Sequence, residues 1–337
     1  MNDPKLWNEP NLSTTKAKRQ HYVPKLLLRS FAIEGKVRVF DLDEHKEYRT
    51  SVANAAVESQ FYNENAENLE LSAEEWLARL EGNATPVLDG LLDNPNNILS
   101  LSIDKELHLA RFLAALRFRT PVFRDFIDNM QISVLQQIKD MVKKQIYHQH
   151  SNKRAEAIWE ELERKPTHWW FSESEPEQSA STANFMLGEV QGYANLFRAA
   201  PWRIGFAPDS IRLYTSDNPV AGYLNPVRPW WETGAFASLS YFVPLSPKIL
   251  LKIERRPDQK KGEELKPCGE RLRKDFSQWE ISFARHVVTS DAKRYLYGEG
   301  PIVPKDCATS CLERIGSAEL EFAIRYLDFD PRPPSSV

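Results

Sequence analysis

The sequence predicts a mostly helical α+β fold, with an N-terminal hairpin, a helical core and a smaller C-terminal sheet that is antiparallel or mixed. Three observations support this prediction. Apolar residues recur at helical spacing within residues 72–150, short alternating segments occupy residues 37–52, and apolar segments separated by proline-containing turns follow within residues 202–253. A chain of 337 residues, 42% of them hydrophobic, can bury a sizeable core.

Composition divides the chain into four parts. Residues 1–15 are polar and are expected to form a flexible leader, and residues 330–337 are expected to form a flexible tail. Residues 16–171 make up the helical region with its hairpin, and residues 183–329 make up an α+β region packed on it. The segment 172–182 is rich in serine and glutamate and predicts an exposed connection. We expect the two regions to form one composite domain.

Several functional classes are excluded by what the sequence lacks. It contains no HExxH, no CxxC pair, no glycine-rich phosphate loop and no GxSxG, which argues against zinc proteases, P-loop NTPases, dinucleotide enzymes and α/β-hydrolases. No apolar run approaches the roughly 18 residues that cross a bilayer, so no membrane partner is expected. The three cysteines are expected to be reduced thiols. A cytoplasmic location is the resulting expectation.

The formal net charge of −3 leaves any nucleic-acid contact to local basic patches. One patch flanks His21, a second surrounds Tyr147, and a third follows residue 251. Runs of charge are usually solvated faces, and the first patch gains weight only because it surrounds a candidate site. The three patches contain Lys16, Lys18, Arg19 and Lys25; Lys139, Lys143, Lys144, Lys153 and Arg154; and Lys252, Arg255, Arg256, Lys260 and Lys261.

The first helix is predicted over residues 24–31, with Pro24 at its first position and Gly35 beyond its end. Residues 37–40 and 48–52 then alternate as the two strands of a hairpin, and the polar residues 41–46 connect them. Asp41, Asp43 and His45 in that connection could imitate a metal site, but a hairpin tip is the better interpretation.

His21 lies just before the predicted helix, in Gln20-His21-Tyr22-Val23-Pro24. A helix N-terminus carries partial positive charge and unpaired N–H groups, which favour an anion and disfavour protonation of a nearby histidine. This arrangement suits a general base or a phosphate site, and Gln20, Tyr22 and Arg29 become candidate substrate-binding residues. Alternatively, His21 is a capping or packing residue.

The next two helices each direct charge toward the core. Ser72 and Glu75 form a capping box for a helix whose apolar side includes Glu81, and Pro86 is expected to kink it. A helix starting near Ser102 carries apolar stripes that continue into Arg117 and Arg119. A buried charge is costly unless paired, so Glu81 is the natural partner of one arginine. A catalytic or anion-binding role and a structural bridge both predict this inward placement.

A polar turn follows a predicted strand over residues 211–215. Ser216 and Asn218 are candidate substrate-binding residues, and Asp217 could activate water or bind a divalent cation. The same residue types are favoured in any tight turn, so a structural turn stays open. A later loop contains Arg228, Trp230 and Trp231. These three side chains could read a nucleobase or simply pack beneath the loop.

Seven short motifs occur together in one order. They are Gln20-His21-Tyr22-Val23-Pro24, Leu28-Arg29-Ser30-Phe31, Phe61-Tyr62, Leu80-Glu81-Gly82, residues 117–121, residues 216–219 and Pro244-Leu245-Ser246-Pro247. This ordered set resembles the bacterial family called domain of unknown function 4238, over residues 20–296. Leu27 stands where that family commonly has an aromatic residue, and Tyr214-Thr215 replaces a more usual phenylalanine or isoleucine. The resemblance supports the choice of residues and implies no particular reaction.

Hydrolysis of a phosphodiester or nucleotide is the chemistry that these residues favour. His21 would act as general acid or base, and Arg117 or Arg119 would stabilise charge developing on phosphate. Glu81 would orient an arginine, and Asp217 would activate water or bind a divalent cation. The expected partner is a nucleic acid or nucleotide. Two alternatives remain: a non-enzymatic module that senses an anion or nucleotide, and a buried polar network that only fixes the fold.

Overall fold

The computed structural model describes residues 19–59, 69–170, 188–224, 238–254 and 269–302. Some sequence expectations concern residues outside these ranges. They are the leader 1–15, the connection 172–182, the tail 330–337, the three cysteines, the Phe61-Tyr62 motif, the basic residues Lys16, Lys18, Arg255, Arg256, Lys260 and Lys261, and the loop residues Arg228, Trp230 and Trp231.

Helices make up most of the first half of the described chain. They are α1 Lys25–Arg29, α2 Leu69–Asp93, α3 Ile103–Phe118, α4 Pro121–Gln149, α5 Asn152–Glu163, α6 Thr167–Trp170, α7 at 188–199 and α8 Gln278–Ser290, with a 3-10 helix at Pro95–Ser100 between α2 and α3. In the described residues, no helix is long and apolar enough to cross a membrane.

The strands form three sheets. They are β1 Arg19–His21, β2 Lys36–Asp41, β3 Lys46–Ser51, β4 Val57–Ser59, β5 Trp202–Phe206, β6 Thr215–Ser216, β7 Ala221–Leu224, β8 Ser238–Pro244, β9 Ile249–Glu254, β10 Arg271–Arg273 and β11 Tyr295–Gly298. The sheet orders are β1-β4, β10-β5-β9-β8-β7 and β3-β2-β11-β6. In the five-stranded sheet β10 runs parallel to β5 and the other neighbours are antiparallel, so this C-terminal sheet is mixed. The predicted α+β class is confirmed.

The N-terminal hairpin is part of a larger sheet. β2 pairs with β3 as predicted, and its other edge pairs with β11, with Phe40 opposite Leu296. β11 in turn pairs with β6, where Leu296 lies opposite Ser216. This four-stranded sheet therefore carries the Ser216 turn next to the strand that follows α8.

Most of the core lies around α3, whose side chains are buried on nearly every face. Leu109, Phe112, Leu113 and Leu116 are all almost fully buried. One large apolar cluster joins α3 to the opening motif, to α2 and to the five-stranded sheet, and a smaller cluster lies under α8. Because other elements surround α3, Arg117 in its last turn and Arg119 directly after it must lie against those elements.

Polar caps fix the ends of these helices. The side chain of Ser102 accepts a hydrogen bond from the backbone N–H of Lys105 and so begins α3, as the sequence predicts. Thr120 caps α4 in the same way, with Pro121 at the first helical position. The predicted capping box at Ser72 is wrong, because α2 already includes Leu69.

Two further predictions differ from the structure. The first helix ends at Arg29 and is only five residues long, with Pro24 before it rather than within it. The predicted strand at 211–215 is strand only at Thr215. Leu213 and Tyr214 are buried as an apolar strand pattern requires, but the backbone N–H of Leu213 bonds to the Pro247 carbonyl rather than to a ladder neighbour.

Candidate functional site

Arg119 connects three of the elements that the sequence singled out. It follows α3 and is 7% exposed. One terminal nitrogen donates to the Glu81 carboxylate on α2, and the other donates to the backbone carbonyl of His21 on β1. Glu81 is thus the partner predicted for one of the two arginines. Because a guanidinium presents its donors in a rigid plane, this one side chain fixes the distance between α2 and the opening motif.

Arg117 has a different partner. Its guanidinium donates to the Asp291 carboxylate at 2.8 Å and to the Val220 carbonyl at 3.3 Å. The same Asp291 oxygen accepts from the side-chain amide of Asn218 at 2.8 Å and from the backbone N–H of Gly222 at 2.7 Å. Asp291, directly after α8, therefore gathers α3 and the segment that follows the Ser216 turn.

Asp217 is bound by backbone donors. It is 1% exposed, and its carboxylate accepts the N–H groups of Lys293, Arg294 and Tyr295 at 2.8, 2.7 and 2.9 Å. Burial raises the pKa of this carboxyl above its usual value, while the three donors oppose that change. These contacts hold the start of β11 against the Ser216 turn.

The neighbouring residues of that turn also have specific environments. Ser216 is fully buried, and its hydroxyl donates to the carbonyl of Asn218 and accepts the N–H of the same residue. The amide of Asn218 bonds to Asp291, whereas its Oδ1 is buried without a hydrogen-bond partner in the described part of the chain. The turn is internally bonded, as its residue types favour.

His21 is half-buried on β1, opposite Val57 of β4. Burial lowers the pKa of His21 from 6.5 to about 4, and the charges of Lys25 and Arg119 act in the same direction. Hydrogen bonds to the backbone of Val52 and Ala53 oppose this change. The sequence argument relied on a helix N-terminus for this direction, but α1 has a single turn and burial is the main cause. Within the described residues, Nε2 of His21 is buried and has no hydrogen-bond partner.

Two tyrosines connect His21 to the four-stranded sheet. The hydroxyl of Tyr22 lies 3.1 Å from that of Tyr297 on β11, and both side chains are buried. Burial raises the pKa of both phenols, so both stay protonated at neutral pH. The negative charge of Asp217 acts in the same direction on both, because it disfavours a second negative charge nearby.

The predicted residues are thus brought together through two sets of contacts. Arg119 joins Glu81 to His21, and Asp291 joins Arg117 to Asn218. The remaining predicted residues have the following positions. Gln20 is 2% exposed on β1, Arg29 is exposed at the end of α1, and Ser216 and Asp217 face the start of β11.

Sequence reasoning missed the residues that complete these contacts. Asp291 lies at a helix end and Tyr297 lies in a short apolar strand, and neither belongs to a recognisable motif. A second buried charge was also missed. Glu106 on α3 is 5% exposed and accepts from Arg271 at 3.0 Å, which ties α3 to β10. Only an inward position on the helix could have indicated Glu106 from sequence.

Metal-binding potential can be judged from the arrangement of ligand residues. Among the described residues, no group of three or more histidine, cysteine, aspartate or glutamate side chains could hold a metal ion. Asp217, which the sequence suggested for a divalent cation, is bound by backbone N–H groups instead.

Comparison with known proteins gives one positive result. No curated protein and no solved structure matches the chain. Residues 19–298 match the family described as "Protein of unknown function (DUF4238)", which covers the opening motif, both arginines, the Ser216 turn and β11. The chain therefore belongs to the DUF4238 family.

Proposed function

We propose that the chain hydrolyses a phosphodiester or nucleotide, with His21 as the general base. The observation that supports this proposal is the Nε2 of His21, which has no hydrogen-bond partner within the described residues. With a pKa of about 4, the ring is neutral at pH 7 and can accept a proton from water or from a substrate hydroxyl.

Arg119 supplies positive charge beside this base in the proposal. Its guanidinium donates a hydrogen bond to the backbone carbonyl of His21, which places the positive charge next to the proposed base. Glu81 holds the guanidinium in place, as the sequence suggested. A fixed cation stabilises negative charge that develops on phosphate without reorganising during the reaction.

Asp217 takes a positioning role in this proposal. Its carboxylate is buried and accepts three backbone N–H groups, so it anchors β11. β11 carries Tyr297, which contacts Tyr22 next to His21. The expected substrates are nucleic acids or nucleotides, and the cytoplasmic location expected from sequence belongs to the same proposal.

The proposal is tested by turnover on a panel of RNA, DNA and nucleotides. His21→Gln should lower kcat by roughly 100-fold or more, because it removes the base while keeping a polar side chain. His108→Gln is the matched control, since His108 is also a histidine whose pKa is lowered by burial, and it lies on α3. The control should keep full activity. For the wild type, kcat/KM should fall only as the pH approaches about 4, where His21 becomes protonated.

Folded wild-type protein with no turnover on the whole panel would contradict a hydrolase. Equal loss in the two histidine variants would contradict the assignment of His21. An unfolded His21→Gln variant would instead support a structural role for this residue.

A second candidate is a non-enzymatic module that senses an anion or nucleotide. It is favoured by the contacts of Asp217, which is buried, and of Asp291, which is partly buried. Asp217 accepts backbone N–H groups and Asp291 accepts from Arg117, so neither carboxylate is placed to activate water. Calorimetric titration with nucleotides separates the two functions, because saturable binding with chemically unchanged ligand supports the sensor and product formation supports the hydrolase.

A further inference from the structure

A second candidate site lies on the helical arm formed by α4, α5 and α6. The C-terminal part of α4 packs against α5 and α6 through its own apolar cluster, which includes Ile146, Trp159 and Trp170 and is separate from the main core. At 1.5 Å per residue, Lys139 lies about 30 Å along α4 from its start near Arg119. The arm is therefore distinct from the surroundings of His21.

Three lysines on this arm each lie over a tryptophan ring. Lys139 Nζ is 5.4 Å from the ring centroid of Trp170, and Lys143 Nζ is 5.0 Å from that of Trp159. Lys165 Nζ is 5.9 Å from the ring centroid of Trp169. We call these six residues the lysine–tryptophan surface. Aromatic faces attract ammonium groups, so the rings hold the positive charges in a defined place.

In the described part of the chain, no carboxylate neutralises the charges of the lysine–tryptophan surface. Across the ranges that the structure describes, none of its three ammonium groups forms a salt bridge with a carboxylate. The nearby carboxylate of Glu160 pairs with Arg164 instead. Three cations close together favour an anion with several negative charges.

Two indoles add further recognition elements. Trp170 is 9% exposed, and its Nε1 is buried with no acceptor in the described part of the chain. Buried indole N–H groups usually have a partner, and this one has none among the described residues, although its burial keeps it from a ligand in solvent. Trp169 is 46% exposed and stands edge-on to Trp170, with centroids 5.4 Å apart. The surface thus offers cations and one partly exposed aromatic side chain, Trp169.

We propose that the lysine–tryptophan surface binds single-stranded nucleic acid. Phosphates would contact the lysines, and an unpaired base would stack on Trp169. A duplex presents phosphates but keeps its bases stacked inside, so it cannot use the exposed indole. An acidic peptide presents carboxylates but no nucleobase that could stack on the indole. The proposal does not depend on catalysis at His21.

The test measures binding of a fluorescently labelled single-stranded 20-mer by anisotropy, which requires no turnover. Trp169→Ala should weaken binding about 5- to 150-fold, the effect of losing one stacked base. Trp169→Phe should retain most of the affinity, because it keeps an aromatic face. The double variant Lys139→Gln/Lys143→Gln should reduce the slope of log K against log salt by about 1.4, the value for two phosphate contacts on a single strand.

A matched control removes the same charge elsewhere. Lys36 and Lys46 are exposed lysines of the β2–β3 hairpin, and Lys36→Gln/Lys46→Gln should leave the salt slope unchanged. Circular dichroism and thermal unfolding establish that each variant is folded. If Trp169→Ala cannot fold, the lysine pair and Trp169→Phe still test the surface.

Five results would overturn the proposal. The first three are absence of saturable binding by folded wild type, equal competition by duplex DNA, and equal competition by an acidic peptide. The other two are wild-type affinity in both folded Trp169→Ala and the lysine double variant, and an equal slope change in the hairpin control. Activity at His21 has no part in these readouts, so failure of one proposal leaves the other standing.

Discussion

Asp291 should be among the most sensitive positions in the protein. Asp291→Ala removes the acceptor for Arg117, for the Asn218 amide and for the backbone N–H of Gly222. Removing one partner of a buried ion pair costs about 3–5 kcal/mol, because it leaves the other charge buried and unpaired. The side chains of Arg117 and Asp291 are 18% and 17% exposed, so some water reaches them. We therefore expect the lower end, a loss of about 3 kcal/mol.

Urea unfolding followed by tryptophan fluorescence measures this loss. Asp209→Ala is the matched control, because the Asp209 side chain is 94% exposed, and it should change the unfolding free energy by less than about 0.5 kcal/mol. The double variant Arg117→Leu/Asp291→Leu should lose less unfolding free energy than the sum of the losses in Arg117→Leu and Asp291→Leu. The reason is that the double variant leaves neither charge unpaired.

Two results would refute this reasoning. The first is a loss below about 1 kcal/mol in Asp291→Ala, comparable to a surface substitution. The second is a loss in the double variant equal to the sum of the single losses, which would mean that the two side chains do not interact.

Three further predictions follow from other contacts. Because burial lowers the pKa of His21 from 6.5 to about 4, protonation opposes folding, so wild-type stability should fall as the pH drops from 6.5 to 4. Urea unfolding at pH 7 and at pH 4.5 measures this fall in the unfolding free energy, and the fall should be smaller in His21→Gln than in the wild type. An equal fall in the two proteins would contradict the prediction. Gly205→Ala should cost about 1–3 kcal/mol of unfolding free energy, because the added Cβ would collide with backbone beside β10. Gly82→Ala should not destabilise the protein, because an added Cβ there meets no described atom within 4 Å. Equal urea midpoints for the two variants would argue against the collision. Arg119→Lys should cost about 1–3 kcal/mol by the same assay, since an ammonium cannot hold both Glu81 and the opposite carbonyl in one plane, and an unchanged midpoint would show that the bridge is dispensable.

Helical periodicity predicted the inward charges well. The repeat of α2 placed Glu81 on its apolar side, the repeat of α3 led to Arg119, and the two side chains bond in the structure. This success has a local cause, because the position of a residue on a helix face follows from spacing alone. A charge on an apolar face then requires a partner, and few carboxylates occupy comparable positions.

The partner of Arg117 could not be found in this way. Asp291 lies 174 positions away and follows α8 as an ordinary polar residue. Its role depends on how α8 and the Ser216 turn pack, which no local pattern encodes. The predicted strand at 211–215 was wrong for a related reason. Leu213 is buried, as the apolar pattern of the segment predicts. A strand also needs a neighbouring strand for its backbone hydrogen bonds, and most of this segment has no such neighbour in the described sheets.

The position of β11 between β2 and β6 determines when the surroundings of His21 can assemble during synthesis of the chain. Arg294, just before β11, bonds to Asp41 at the end of β2, and the two residues are 253 positions apart. At 5–20 residues per second, a ribosome needs roughly 13–50 s to make the chain between them. During that time the β2–β3 hairpin lacks its inner neighbour, and an isolated hairpin is marginally stable at best. Tyr22 likewise lacks Tyr297, so the surroundings of His21 cannot assemble on the nascent chain until β11 has left the ribosome.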